Sequence, residues 1–258
     1  LSDYNLKPVG SGPYEFLAYD KLPTGFIGAY HLQAWSRYFL TLPLIQSLNF
    51  NFFSSPDDSI KNFNSGQIDA VAGLEPDDLL KIKRPYEIFS FELPNYYAVF
   101  LNQSKSLPLQ DIAVRSALAF ALNRDDLINA VLLGKGRLDF GPLPEGAPYF
   151  DQSIAQSTSS LELASSTLEA AGWQAGPDGL RQKSIGQSKV NLELRLLVPQ
   201  VNFLQKTAEL LREGWQRVGF KIDLITEPPE DIAGNEIKNR DYEMLLFGNI
   251  LGPSSDLS

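Results

Sequence analysis

The clearest alternation of apolar and polar positions lies in the last third of the chain. Val190, Leu192, Leu194, Leu196 and Val198 alternate with Asn191, Glu193, Arg195 and Leu197, the period of two that marks a strand. Leu204, Ala208, Leu211, Trp215 and Val218 then step by four and three, one apolar helix face, closed by Gly219. Phe220, Ile222 and Leu224 form the next strand, and residues 242–247 another that runs into Gly248. Strand, helix and strand with short connections predict a mixed α/β lobe.

The middle third reads as helical. Residues 111–133 form a helical pair in which Asn123 caps the second helix, with Asp126 three positions on, and Gly134 ends it. Residues 141–151 hold three prolines and predict an irregular surface loop. Residues 152–160 are polar enough for a flexible connector, and residues 161–171 predict a short helix closed by Gly172.

In the first third, Leu48, Phe50 and Phe52 alternate with Asn49 and Asn51 as a strand. Ser55 caps a helix with Pro56 at its first position and Asp57 and Asp58 in its first turn; Gly66 stops it. Residues 68–73 read as a buried strand, and Glu75 and Pro76 start a second short helix. Two aromatic stretches follow, 86–93 and 96–102, with Pro94 and Asn95 as the turn between them. Their aromatics suit strand core, and they equally suit the lining of a ligand groove. No internal repeat is visible.

Composition narrows the function. Of 258 residues, 43 % are hydrophobic and 21 % charged, a globular balance with room for one large or two medium domains. Lys and Arg number 22 against 31 Asp and Glu, a net charge of −9, and the cations are scattered singly. A nucleic-acid binder needs a basic patch, so that class is disfavoured. Absence of cysteine excludes disulfides and thiolate chemistry, and the single histidine excludes any site built on two imidazoles. No apolar run approaches the roughly 18–20 residues that span a bilayer. The chain opens on Leu1 with no leader visible, and is expected to be part of a longer protein.

Three acidic pairs stand out: Asp57 with Asp58, Asp77 with Asp78, and Asp125 with Asp126. As metal ligands or acid/base pairs they would point to a hydrolase. Each, however, lies in the first turn of an expected helix, where carboxylates offset the helix dipole and accept from free N–H groups. His31 has no serine or acid at a diagnostic spacing and reads as a surface or packed residue. The glycine pairs at 10 and 12 and at 134 and 136 lack the spacing of a phosphate loop and read as turns.

Several separated segments resemble the family 5 extracellular solute-binding proteins, the oligopeptide-, dipeptide- and nickel-binding subunits of ABC importers. Pro8-Val9-Gly10-Ser11-Gly12-Pro13-Tyr14 is similar to that family's Pro-Val-Gly-Thr-Gly-Pro-Tyr. Phe63 to Val71 resembles its short helix followed by Gly-Glu-Ile-Asp, and Phe100, Asn102, Pro108 and 111–125 its Asp-x-x-Val-Arg-x-Ala-Leu stretch. Residues 168–173, 211–219 and 240–248 continue the resemblance in the family's order.

The resemblance implies an α/β, type II periplasmic-binding-protein-like fold, with two lobes joined by crossover strands and a first lobe that is incomplete here. Residues 1–97 would be part of the first lobe and 98–258 the second. It further implies a non-enzymatic, extracytoplasmic protein, lipid-anchored at full length, monomeric and without cofactor or metal. Such a protein captures a peptide or other small solute in the interlobe cleft and delivers it to ABC permease membrane subunits. A ligand-sensing or scaffold role is the alternative. Residues matching the family's cleft wall are Gly73, Leu74, Ala98, Phe100, Phe247, Asn249, Ile250 and Leu251. Peptide binders of the family place a tryptophan after the position of Gly248 and an aspartate three residues on; this chain has Asn249 and Gly252 there.

Overall fold

The computed structural model describes residues 3–89, 91, 95–139, 141, 150 and 159–250. The chain divides into two units, Leu1–Tyr86 and Glu87–Ser258. The second holds most of the core. Its four strands are β4 (Asn95–Leu101), β8 (Glu193–Pro199), β9 (Lys221–Glu227) and β10 (Met244–Ile250), in the order β4-β10-β8-β9. β8, β9 and β10 are parallel, and β4 runs antiparallel along β10 over its whole length.

The 3.6-residue stripe explains why α7 (Asn202–Gln216) lies on this sheet. Leu204, Ala208, Leu211 and Trp215 are buried against Leu194, Leu196 and Val198 of β8, Ile222 of β9, and Met244 and Leu246 of β10. The same core takes in α4 (Ile112–Phe120) and α6 (Leu161–Ala170) through Val114, Ala117, Leu118, Ala164 and Leu168. Trp215 Nε1 donates to Leu118 O at 2.8 Å, satisfying the one polar atom of that buried ring. On the other sheet face, Leu197 and Leu245 meet Ile232 in a smaller cluster. Ile232 opens a π-helical turn, Ile232–Ile237, that follows α8 (Pro229–Asp231).

Helix ends follow the chemistry expected of them. Between α3 (Leu107–Gln110) and α4, Asp111 caps α4 by accepting from Ala113 N at 3.0 Å. Asn123 caps α5 (Arg124–Leu132), and Ser160 caps α6. Asp111 does more than cap. Its Oδ2 also accepts from Trp173 Nε1 at 3.0 Å and Lys183 Nζ at 2.9 Å.

Residues 190–198 are a correction: two strands, not one. β7 (Ser188–Asn191) joins β5 (Gln174–Ala175) and β6 (Arg181–Ile185) in a small antiparallel sheet, and β8 starts the large one. Leu192 is the joint; its N–H donates to Arg181 O and its carbonyl accepts from Lys221 N. Arg181 is buried, and its guanidinium donates to Val218 O, Trp173 O and the Glu169 carboxylate.

The first unit opens, among the described residues, with a short helix, α1 (Asp3–Leu6), followed by the antiparallel sheet β1 (Tyr14–Lys21), β2 (Ile27–Ala34) and β3 (Ser47–Asn51). Phe16, Tyr19, Tyr30 and Phe52 pack ring to ring on this sheet. Ser55 caps α2 (Pro56–Asn64), as its sequence requires. A 3-10 turn, Pro76–Lys81, replaces the second expected helix, and Lys81 Nζ ties it to α2 through Asp57 at 2.7 Å and Asp78 at 2.9 Å.

Residues 68–73 form no strand and are not buried, against expectation. A strand needs a neighbour to complete its hydrogen bonds, and no described strand runs beside these residues. The loop expected at 141–151 and the connector at 152–160 lie almost wholly outside the described residues.

Candidate functional site

The expected cleft residues fall in both units. In the first, Gly73 (φ +74°) is exposed and Leu74 half-buried, just ahead of the 3-10 turn. In the second, Ala98, Phe100, Phe247, Asn249 and Ile250 lie on the paired strands β4 and β10, and Leu251 lies outside the described residues. The register sets Phe247 opposite Ala98, Asn249 opposite Tyr96 and Ile250 opposite Asn95.

Strand alternation separates these residues by face. Phe100 and Phe247 pack against the Leu197, Ile232 and Leu245 cluster, so both rings also close that small core. Ala98 and Asn249 share their face. Ile250 belongs to the opposite face, the one that carries α7, and is 77 % exposed. Asn249 Oδ1 accepts from Ile250 N at 3.0 Å.

Two residues outside the expected cleft set complete this end of the sheet: Tyr97, from the aromatic stretch 96–102, and Phe203, which the sequence does not single out. Tyr97 lies opposite Gly248 and meets Phe203, in the first turn of α7, edge to face at 4.9 Å between ring centres. Gly248 is needed for this approach: a Cβ there would stand 2.6 Å from Tyr97 Cε1. The helix stripe gave no warning of Phe203, which lies off it.

The opposite end of the same sheet is ionic. Lys221 pairs with Glu193, Arg195 with Glu243, and Lys105 with Asp241. Lys105 holds the Asp241 carboxyl below its ordinary pKa. A cavity of about 220 Å³ opens on the face away from α7, lined by Arg195, Ile225, Glu227, Glu236, Tyr242 and Glu243 among others. Among the described residues no group of three His, Cys, Asp or Glu is placed to hold a metal.

The acidic pairs do structural work where the structure describes them. Asp57 and Asp78 hold Lys81, raising its pKa, and the Asp78 carboxylate accepts from Glu75 N. Asp125 and Asp126 sit in the first turn of α5, where Asn123 accepts from Asp126 N. His31 lies between strands, within hydrogen-bond distance of Asn49 Oδ1 at 2.7 Å and Asp20 Oδ2 at 3.0 Å. These bonds raise its pKa. No serine or other nucleophile is among its hydrogen-bond partners.

The family model for the middle part of bacterial extracellular solute-binding proteins, family 5, matches residues 1–258. The chain therefore belongs to the family 5 extracellular solute-binding proteins. Among relatives, it is 24 % identical over 228 residues to the dipeptide-binding protein of Escherichia coli, covering 86 % of this chain and 39 % of that protein. It is 28 % identical over 246 residues to the nickel-binding periplasmic protein of the same organism, covering 90 % and 44 %. Its fold matches the ABC transporter substrate-binding protein CtaP of Listeria monocytogenes with a TM-score of 0.79 at 21 % identity, over 98 % of this chain and 49 % of that one. The fold is thus the two-lobe α/β fold of type II periplasmic binding proteins. The chain spans less than half the length of these proteins.

Proposed function

We propose that the intact protein is the extracytoplasmic substrate-binding subunit of an ABC importer, which captures an oligopeptide-like solute and hands it to the permease membrane subunits. It acts as a monomer, catalyses nothing, and is held at the membrane by a lipid anchor. The observation that carries this reading is the family match over all 258 residues. The geometry is in keeping with it: the acids are used as helix caps and ion pairs, while β4 and β10 bring exposed, uncharged residues to one end of a rigid sheet. Gly73, Leu74, Ala98, Phe100, Phe247, Asn249, Ile250 and Leu251 are the proposed solute contacts, with main-chain groups at strand ends pairing with the backbone of the solute.

Native mass spectrometry of the intact protein purified from its host tests the reading. A co-purified peptide, displaced by excess synthetic peptide, is the expected result. A protein that carries no peptide and whose melting temperature no peptide shifts would overturn it.

A further inference from the structure

The two ends of the four-stranded sheet differ in chemistry. At one end the charged groups are Glu193, Arg195, Lys221, Asp241, Glu243 and Lys105, joined in ion pairs. At the other end three segments converge: the start of β4, the turn from β8 into α7, and the end of β10. Tyr97 touching Phe203, and Gly248 lying opposite Tyr97, show that they meet.

Residues 95–98, 200–203 and 248–250 all reach solvent at least in part, and none of these eleven is ionisable except through a tyrosine hydroxyl. Globular proteins are about 25 % Lys, Arg, Glu and Asp, so about three charges are expected among eleven residues. The polar groups present are neutral: the amides of Asn95, Gln200, Asn202 and Asn249, and the hydroxyls of Tyr96 and Tyr97. The apolar groups are Ala98, Val201, Phe203, Ile250 and the tyrosine rings. Glu227, at the end of β9, lies beside Gln200, whose N–H donates to its main-chain oxygen at 2.8 Å, and it lines the cavity with Arg195 and Glu236 on the face away from α7.

We infer that this end of the second unit binds an uncharged stretch of solute, with Tyr97 and Phe203 packing against an apolar or aromatic group and the amides meeting its peptide bonds. This inference rests on the proposed function and names the solute class within it: a peptide recognised here through its neutral interior, not through a terminal ammonium or carboxylate. A charged terminus pressed against these eleven residues would lose water and gain no charged partner among them, an unfavourable exchange. Amides and aromatic rings, by contrast, match the amides and side chains of a neutral segment without a net charge on either side. Tyr97 and Phe203 are the specificity-determining residues. Gly248 positions Tyr97 by leaving space for its ring.

The test uses the intact protein and two pools of mixed-sequence pentapeptides built from Ala, Val, Phe, Tyr and Asn. One pool is acetylated and amidated; the other has free termini. The capped pool is expected to bind within about threefold of the free pool or tighter, and raising salt from 50 to 500 mM should change its affinity less than about twofold. Tyr97→Ala should weaken binding about tenfold or more, and Tyr97→Phe less than threefold, since the ring is kept. Asn249→Asp adds a carboxylate at the same end and should turn the preference towards the free-amine pool, a gain that a misfolded variant would not show. Binding of the free pool alone by the unaltered protein would overturn this inference and leave the proposed function standing. Binding of neither pool would overturn both.

Discussion

A methyl group added at Gly248 would stand 2.6 Å from Cε1 and 2.9 Å from Cδ1 of Tyr97. Tyr97 is 47 % exposed, so its ring has room to swing away from Phe203. Gly248→Ala should therefore cost about 1–2 kcal/mol, near the low end of overpacking penalties, measured as a lower urea midpoint at unchanged slope. In a Tyr97→Ala background the same substitution should cost almost nothing, because the colliding ring is gone; equal losses in both backgrounds would deny the contact. His31 carries a second residue-scale expectation. Hydrogen bonds to Asn49 and Asp20 raise its pKa above 6.5, so its contribution to the first sheet is present below the unfolded value and fades as pH rises through the folded one. An NMR titration should place its midpoint above 6.5, and Asn49→Ala should lower it.

At the scale of elements, Asp111 couples three pieces: the start of α4, the ring of Trp173 after α6, and Lys183 on β6. Partial burial works to raise its pKa, but the bonds from Lys183, Trp173 and Ala113 outweigh that and hold it below the usual carboxylate value. The sign follows from linkage: the stabilisation is present above the unfolded pKa and lost as pH falls through the folded one. Urea midpoints measured from pH 6 down to pH 2 should fall less steeply in Asp111→Asn than in the unaltered protein. Arg181 does similar joining work at the same small sheet, with two carbonyls and one carboxylate as partners. Arg181→Met would leave Val218 O and Trp173 O without their donor, and should cost about 2–4 kcal/mol in a denaturant titration.

Why some elements were legible in the sequence and others not is also settled at this scale. The stripe on α7 needs only its own spacing to be read, and Leu204, Ala208, Leu211 and Trp215 are all buried. β1 resists reading because its register shifts between Phe16 and Ala18, which breaks the alternation of Tyr14, Phe16 and their neighbours. The split at Leu192 is invisible for the opposite reason: the alternation continues unbroken while the hydrogen-bond partners change sheet. Residues 68–73 have the composition of a buried strand, but strand formation depends on a distant partner that local pattern does not report. The same limit hid the contact between Tyr97 and Phe203. Tyr97 and Phe203 are brought together only by the packing of α7 on β4 and β10, whereas Asn249 and Ile250 are expected at the cleft from the family's segment order alone.

On the scale of the whole molecule, the burial of apolar side chains is unequal. Among the described residues, the first unit buries only Ala29, Ile60 and Phe63, while the second buries 21 residues in its main cluster alone. Large side chains in the first unit stay exposed, among them Phe39 at 74 %, Leu44 at 98 % and Phe26 at 75 %. At roughly 25 cal/mol per Å² of apolar area removed from water, a cluster containing two tryptophans and nine leucines can offset the chain entropy of its unit, and three buried side chains cannot. Residues 87–258 expressed alone should therefore unfold in a single cooperative transition, with slow amide exchange in β8, β10 and α7. Residues 1–86 alone should show no cooperative transition and near-complete exchange within minutes. If the larger piece melted without cooperativity, the sheet carrying Tyr97, Gly248 and Asn249 would not be the rigid support that the proposed solute contacts require. If the smaller piece folded cooperatively by itself, its exposed aromatic residues would have found enough burial within their own 86 residues.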